Sequence, residues 1–214
     1  MATQNLITAN PALSALSQLK ANPIDFLHFN IIMMGGPPTS GEHHFYFGKH
    51  GRDPGPQPNG VQACFKLNHI DSGFIDPVQI TCKNVRMIPA TENFDVADIE
   101  AYSLGGMGAD ILVTGQLSGC AFCVLKLGAN VVVAHIQPGG TRGTGANLQT
   151  LLQKSGRFHG FKNWQLTYVY GAAINYAARA YAVGIGQNGE WRIFGQAVSG
   201  SEVDAQVVSV KRII

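Results

Sequence analysis

Short apolar runs, separated by turns that contain glycine or proline, recur along most of this chain and set its predicted elements. A helical pattern comes first. Asn10 followed by Pro11 reads as a helix cap and first helical position, and Leu13, Leu16 and Leu19 follow at helical spacing. "IDFLHFNIIMM" (24–34) then reads as a buried strand, and "EHHFYFG" (42–48) and "VQACFKLNHI" (61–70) as two more. Between those two, "GKHGRDPGPQPNG" (48–60) is dense enough in Gly and Pro to be a loop. "PVQITCKNVRMI" (77–88) alternates like a half-buried strand, and "TENFDVADIEAYSLGGMG" (91–108) is a polar excursion with room for a helical turn.

"DILVTGQL", "AFCVLKL" and "VVVAHI" are three apolar runs with Gly-containing turns between them, a pattern that predicts an antiparallel meander. "TGANLQTLLQK" (144–154) carries Leu148, Leu151 and Leu152 on one helical face, with Gly156 near its stop. The remainder is again strand-like: "WQLTYVYG", then "AARAYAVGIGQNGEWRIFGQAV" with a hairpin at Asn188-Gly189, then "DAQVVSVKRI". With no repeat, linker or shift in composition, residues 1–214 are expected to form one α+β domain. The expected architecture is mostly antiparallel sheet with two or so helices.

Composition narrows the function classes. Charged residues make up 13% of the chain, about half the usual share, and 26 residues are Gly, which suits a turn-rich β protein rather than a disordered one. A formal charge of +2 with no clustered Lys and Arg gives no footprint for nucleic acid or an anionic membrane. The first twenty residues lack the basic and apolar regions of a Sec-type signal, and no apolar run is long enough to span a bilayer as a helix. Synthesis in a cytoplasm is expected, with export by a route that leaves no N-terminal mark still open. The four cysteines are too few for a disulfide scaffold and are read as free thiols.

Two of those cysteines, Cys120 and Cys123, fall in "LSGCAFCVLKLGANVVVAH" (117–135), which ends on His135. A redox pair would sit at a helix N-terminus, whereas this segment is β-branched and apolar, and residues three apart on a strand face opposite ways. A zinc site would need a second closely spaced ligand pair. Cys64 and Cys82 are isolated, and the adjacent His43 and His44 on a strand cannot chelate one ion together. Neither a redox pair nor a metal site is therefore expected.

A nucleophile and base pass the geometric test. If the hairpin turns on Gly128-Ala129, paired residue numbers sum to 257, Cys123 lies opposite Ala134, and His135 becomes a same-face diagonal neighbour of Cys120. From the residues alone, a small buried Cys and a satisfied core His remain the alternative. Gln116 reads as a solvent-facing strand residue or an amide lining the site. The loop at 138–147, "PGGTRGTGAN", lacks the Walker ending and is read as a lip beside the site, with Arg142 at its tip.

"LSGC", with Thr114 six residues before the Cys and His135 fifteen after it, resembles the glutamine-deamidase toxin superfamily. That superfamily includes the catalytic domain of the cytotoxic necrotizing factors and the Burkholderia lethal factor, and the chemotaxis receptor deamidases share a similar Thr, Cys, His order. The Cys-to-His gap is similar to that of the necrotizing factors, the Thr-to-Cys gap and chain size to those of the lethal factor. The resemblance covers roughly residues 112–138.

It implies a bacterial protein, folded as a sandwich of mostly antiparallel or mixed sheets with peripheral helices and loops, that carries out a metal- and cofactor-free conversion of a protein Gln side chain to Glu. Cys120 would be the nucleophile, in a thiolate form favoured by a neighbouring imidazolium, and His135 the acid and base. Thr114 would be the orienter of the imidazole or else an ordinary strand residue, and the backbone around Ser118, Gly119 and Cys120 the oxyanion donor. The implied partner is a target protein, such as a host translation or signalling protein, met by a monomer released or delivered into the host cytosol. Transglutamination by the same Cys-His pair and a non-catalytic β-sandwich binding module are the competing expectations.

Overall fold

Helix α1 (Pro11–Ala21) starts where the Asn10 side chain accepts the N–H of Ala12 at 2.9 Å, with Pro11 in the first helical position. These contacts come from a computed structural model that describes residues 10–50, 63–88, 101–137, 150, 165–200 and 205–214. The helix buries Ala12, Ala15, Leu16 and Leu19, whereas Leu13 stays exposed. The expected strand at 24–34 is instead divided between helix α2 (Pro23–Phe29) and strand β1 (Asn30–Gly35). Pro23 occupies the first helical position and Asp25 the first turn, where a carboxylate suits the helix dipole. The apolar run itself fits a buried strand or a buried helix, so the cap chemistry decides.

Eight strands form the larger sheet: β1, β2 (Gly41–His50), β3 (Ala63–Asn68), β4 (Phe74–Val85), β7 (Ile111–Thr114), β11 (Arg179–Gln187), β12 (Glu190–Ser199) and β13 (Gln206–Arg212). Their order in space is β1-β3-β2-β4-β7-β11-β12-β13. The smaller sheet runs β10 (Gln165–Gly171), β8 (Ala121–Leu127), β9 (Asn130–Ile136), β5 (Met87–Ile88), and β6 (Tyr102–Ser103) also pairs with β9. The β1–β3, β4–β7 and β5–β9 pairs are parallel and the others antiparallel. The result is an α+β sandwich of mixed, mostly antiparallel sheets.

Both expected hairpins are present, with Leu127 paired to Asn130 and Gln187 to Glu190. Positive φ at Gly128, Asn188 and Gly189 supplies the twist that two-residue turns require. The expected three-strand meander is not formed. Strand β7 leaves β8 and β9 and joins the larger sheet, parallel to β4 and antiparallel to β11. The segment after it is too long for a tight turn. Leu117 forms an isolated bridge to Ala180, and Gly119, at φ +75°, then redirects the chain into the smaller sheet. Apart from Thr150, which is helical, the expected helix at 144–154 lies outside the described residues, as does most of the excursion at 91–108, although Tyr102–Ser103 at its end is strand.

Alternation along β11 and β12 sorts their residues between two cores. Tyr181, Val183, Ile185, Phe194 and Val198 join both helices and β1 on one face. Ala180, Ala182, Ile193 and Ala197 face the smaller sheet on the other. Apart from Ile193, that second face is built from small residues because bulky ones meet it: Phe122 and Tyr170 of the smaller sheet and Tyr176 beyond it. At Gly195 a Cβ would lie 2.5 Å from the Tyr170 ring, so only glycine lets the sheets close. Cys120 packs in this inter-sheet layer, beside Leu117 and Phe122 in the contact cluster.

Candidate functional site

Three chain segments converge at one end of the inter-sheet layer. Strand β7 ends on Thr114, the next six residues carry the chain across to Cys120 at the start of β8, and β9 returns with His135 opposite Phe122. Cys123 lies opposite Ala134 and packs on the far face of the smaller sheet with Ala121 and Leu125. Cys120 packs with Phe122 and Val124, so the two sulfurs of the C-x-x-C segment are held on opposite faces. His135, opposite Phe122, shares the face of Cys120.

Thr114 and His135 are both fully buried and in direct contact, with Thr114 Oγ1 2.7 Å from His135 Nδ1. The Thr114 hydroxyl has one proton, and it is donated to the Val85 carbonyl at 2.8 Å. Nδ1 must then carry a proton and donate it to Oγ1, which makes Nε2 the bare, proton-accepting nitrogen. Nε2 is buried and has no hydrogen-bond partner among the described residues. Buried polar atoms are rarely left in this state, and each that is calls for an explanation.

Burial pushes the His135 pKa down to about 3, so the imidazole is neutral across the physiological range. Cys120 is 2% exposed, and burial pushes its thiol above the ordinary value. Its Sγ donates to the Ser118 carbonyl at 3.6 Å. The expected thiolate and imidazolium are therefore not the resting forms, because neither charge is solvated in this layer. Both groups therefore rest neutral, as thiol and imidazole.

The backbone before the cysteine is also shaped. Gly119 is held at φ +75°, and neither its N–H nor that of Cys120 donates to a group among the described residues. Ser118, which precedes them, is exposed. On the other side of Cys120, its carbonyl accepts from the Tyr176 hydroxyl at 2.7 Å and from the Ala172 N–H at 3.3 Å. Tyr176 and the Val85 carbonyl had no signal in the sequence. The one is a lone aromatic between strands and the other a backbone atom brought in by the parallel pairing of β4 with β7.

Other candidates fall away from this cluster. Gln116 is exposed, as a solvent-facing residue should be, and accepts from the Tyr181 hydroxyl at 3.1 Å. It also lines a cavity of about 380 Å³ with Gly36, Pro37, Asn84, Val85 and Arg86, to which neither Cys120 nor His135 contributes. His43 and His44 contact Thr39 and Thr81 separately. Among the described residues no group of His, Cys, Asp and Glu has the makings of a metal site, and no helix is long and apolar enough to cross a membrane. Arg142 and the loop at 138–147 lie outside the described residues. No protein-family model matches this sequence, and no curated protein matches it.

Proposed function

We propose that the chain is a cysteine-dependent amidohydrolase that deamidates a glutamine side chain of a target protein. One observation carries the reading: the relay from the Val85 carbonyl through Thr114 to His135 Nδ1, which leaves a buried Nε2 with no partner among the described residues on the face that holds Cys120. A core histidine kept for packing alone would be expected to satisfy both nitrogens.

In the proposed cycle the Cys120 thiol turns from Ser118 toward His135 and passes its proton to Nε2 as sulfur attacks the carboxamide carbon. The carbonyl electron pair moves onto oxygen, where the N–H groups of Gly119 and Cys120 accept the charge. The imidazolium gives its proton to the departing nitrogen, ammonia leaves, and a thioester remains. Water, deprotonated at Nε2, then releases Glu and restores the thiol. Thr114 holds the tautomer throughout. A thiol that is 2% exposed admits a thin, extended side chain more readily than a main-chain peptide bond with its flanking residues, which favours a Gln side chain over peptidase action. An amine in place of water would give transglutamination by the same thioester.

The enclosed, neutral thiol also supports a second reading, a non-catalytic binding module whose Cys120 is core. Incubation with eukaryotic lysate, read by mass spectrometry for Gln-to-Glu conversion, separates the two. Conversion by the wild type and not by Cys120→Ser is the expected result, and a labelled polyamine in the same reaction reports transfer to amines. Equal conversion by both proteins would overturn the deamidase reading.

A further inference from the structure

We infer that Tyr176 is a positioning residue for the oxyanion site, an assignment that rests on reading Cys120 as the nucleophile. The Tyr176 hydroxyl donates to the Cys120 carbonyl at 2.7 Å, and the Ala172 N–H donates to the same oxygen at 3.3 Å. Two donors on one carbonyl fix the plane of the Cys120–Ala121 peptide. That oxygen is thereby kept from swinging toward the place where negative charge develops, where it would repel. The backbone of Cys120 is fixed with it, and so is the direction of Sγ relative to the N–H groups of Gly119 and Cys120.

The donor is itself rigidly held. Tyr176 is 5% exposed, and its ring stacks on that of Tyr170 with centroids 5.7 Å apart and planes 26° from parallel. The turn before it is closed by three hydrogen bonds: Gly171 N–H to the Asn175 side chain at 2.8 Å, Asn175 N–H to the Gly171 carbonyl at 2.9 Å, and Ala173 N–H to the Tyr176 carbonyl at 2.9 Å. Ala173 accepts φ +65° to complete it, a conformation that costs a non-glycine residue and persists only where its surroundings enforce it. A buried phenol would satisfy its hydroxyl with any acceptor. Here the acceptor belongs to the nucleophile's own residue, and the turn is built to hold the donor on it.

Two small probes test this without knowledge of the target. With p-nitrophenyl acetate, Cys120 sulfur forms a bond to the acyl carbon as its proton passes to His135. The π pair moves onto oxygen, and collapse expels p-nitrophenolate to leave an acetyl thioester. With iodoacetamide, sulfur displaces iodide and no oxyanion forms. Both rates are read at the Cys120 peptide by mass spectrometry, for wild type, Tyr176→Phe and Cys120→Ser, with the urea-unfolded chain as the baseline for the ratio of the two.

Tyr176→Phe keeps the ring and removes the donor. Its acylation rate is expected to fall about 10- to 100-fold while alkylation changes less than about twofold. Acylation and alkylation that fall together would show a structural role, and no change in either would show no role; both overturn the assignment while the deamidase reading stands. A wild-type ratio no higher than that of the unfolded chain would overturn the deamidase reading, and the assignment with it.

Discussion

At the scale of single residues, the hydroxyl of Thr114 decides which nitrogen of His135 carries the proton. With its proton on the Val85 carbonyl, Oγ1 can only accept from Nδ1–H, and Nε2 is thereby left as the unprotonated nitrogen. Thr114→Val keeps the shape and removes both bonds, which leaves a buried N–H and a buried carbonyl without that partner. A loss of stability of about 1–3 kcal/mol is expected in urea unfolding. Acylation of Cys120 is expected to fall with it, whereas Thr114→Ser should retain most of both. Burial of His135 has a pH consequence. The unfolded chain takes up a proton at this residue near pH 6.5, while the folded chain stays neutral there until about pH 3. The unfolded state thus binds more protons in that window, so this contribution to stability is complete above pH 6.5 and is lost as the pH falls toward 3. His135→Asn retains a donor toward Thr114 and does not titrate. The difference in unfolding free energy between the two proteins should change by up to about 1.4 kcal/mol per pH unit between pH 6.5 and 3, measured in urea titrations. A difference independent of pH would show that His135 is protonated in the fold. The face shared by Cys120 and His135 was legible in the sequence because a two-residue hairpin fixes its own register. The resting charge state was not, because it depends on how deeply the layer is buried, which no local pattern encodes.

At the scale of elements, turn chemistry was the most readable feature. Gly128-Ala129 and Asn188-Gly189 each specify a tight hairpin, through Gly128 in the first and both residues in the second at positive φ, and both form. Elements whose partners lie far along the chain were less readable. Strand β7 has the same apolar character as β8 and β9, and only its pairing with β4 and β11 separates it from them. The run at 24–34 was ambiguous because full burial erases the periodicity that distinguishes helix from strand. The contact between sheets was invisible for a related reason: Ala180, Ala182, Gly195 and Ala197 look unremarkable until the bulky residues that face them are known. Gly195→Ala tests how tightly these elements are matched. Its Cβ would lie 2.5 Å from the Tyr170 ring, which stacks on Tyr176, so the ring must shift or the sheets must part. A cost of about 1–3 kcal/mol is expected in urea unfolding. Alanine is ordinarily the better strand residue, so a stabilised variant would show that the layer has slack.

At the scale of the whole molecule, the larger sheet curls until its first strand, β1, approaches its last, β13, with the two helices packed into the core it encloses. Hydrogen bonds from a buried side chain help to hold that curl. Gln196, 1% exposed on β12, accepts from the Ile32 N–H at 3.2 Å and donates to the carbonyls of Leu27 at 2.6 Å and Asn30 at 2.7 Å. It therefore binds the open edge of β1 and the end of α2 to the strand whose opposite face carries Ile193, Gly195 and Ala197 toward the smaller sheet. Gln196→Met conserves volume and leaves all three backbone groups without this partner. At about 1–3 kcal/mol for each unsatisfied group, a loss of about 3 kcal/mol or more is expected. Because β12 is common to both cores, the loss should be felt throughout. In urea, the far-ultraviolet circular dichroism transition and the loss of Cys120 protection from iodoacetamide should move together to lower concentration and stay coincident. If Cys120 protection kept its wild-type midpoint while the dichroism transition moved, the smaller sheet and its site would stand independently of the curl. In that case β12 would be only a surface against which they rest.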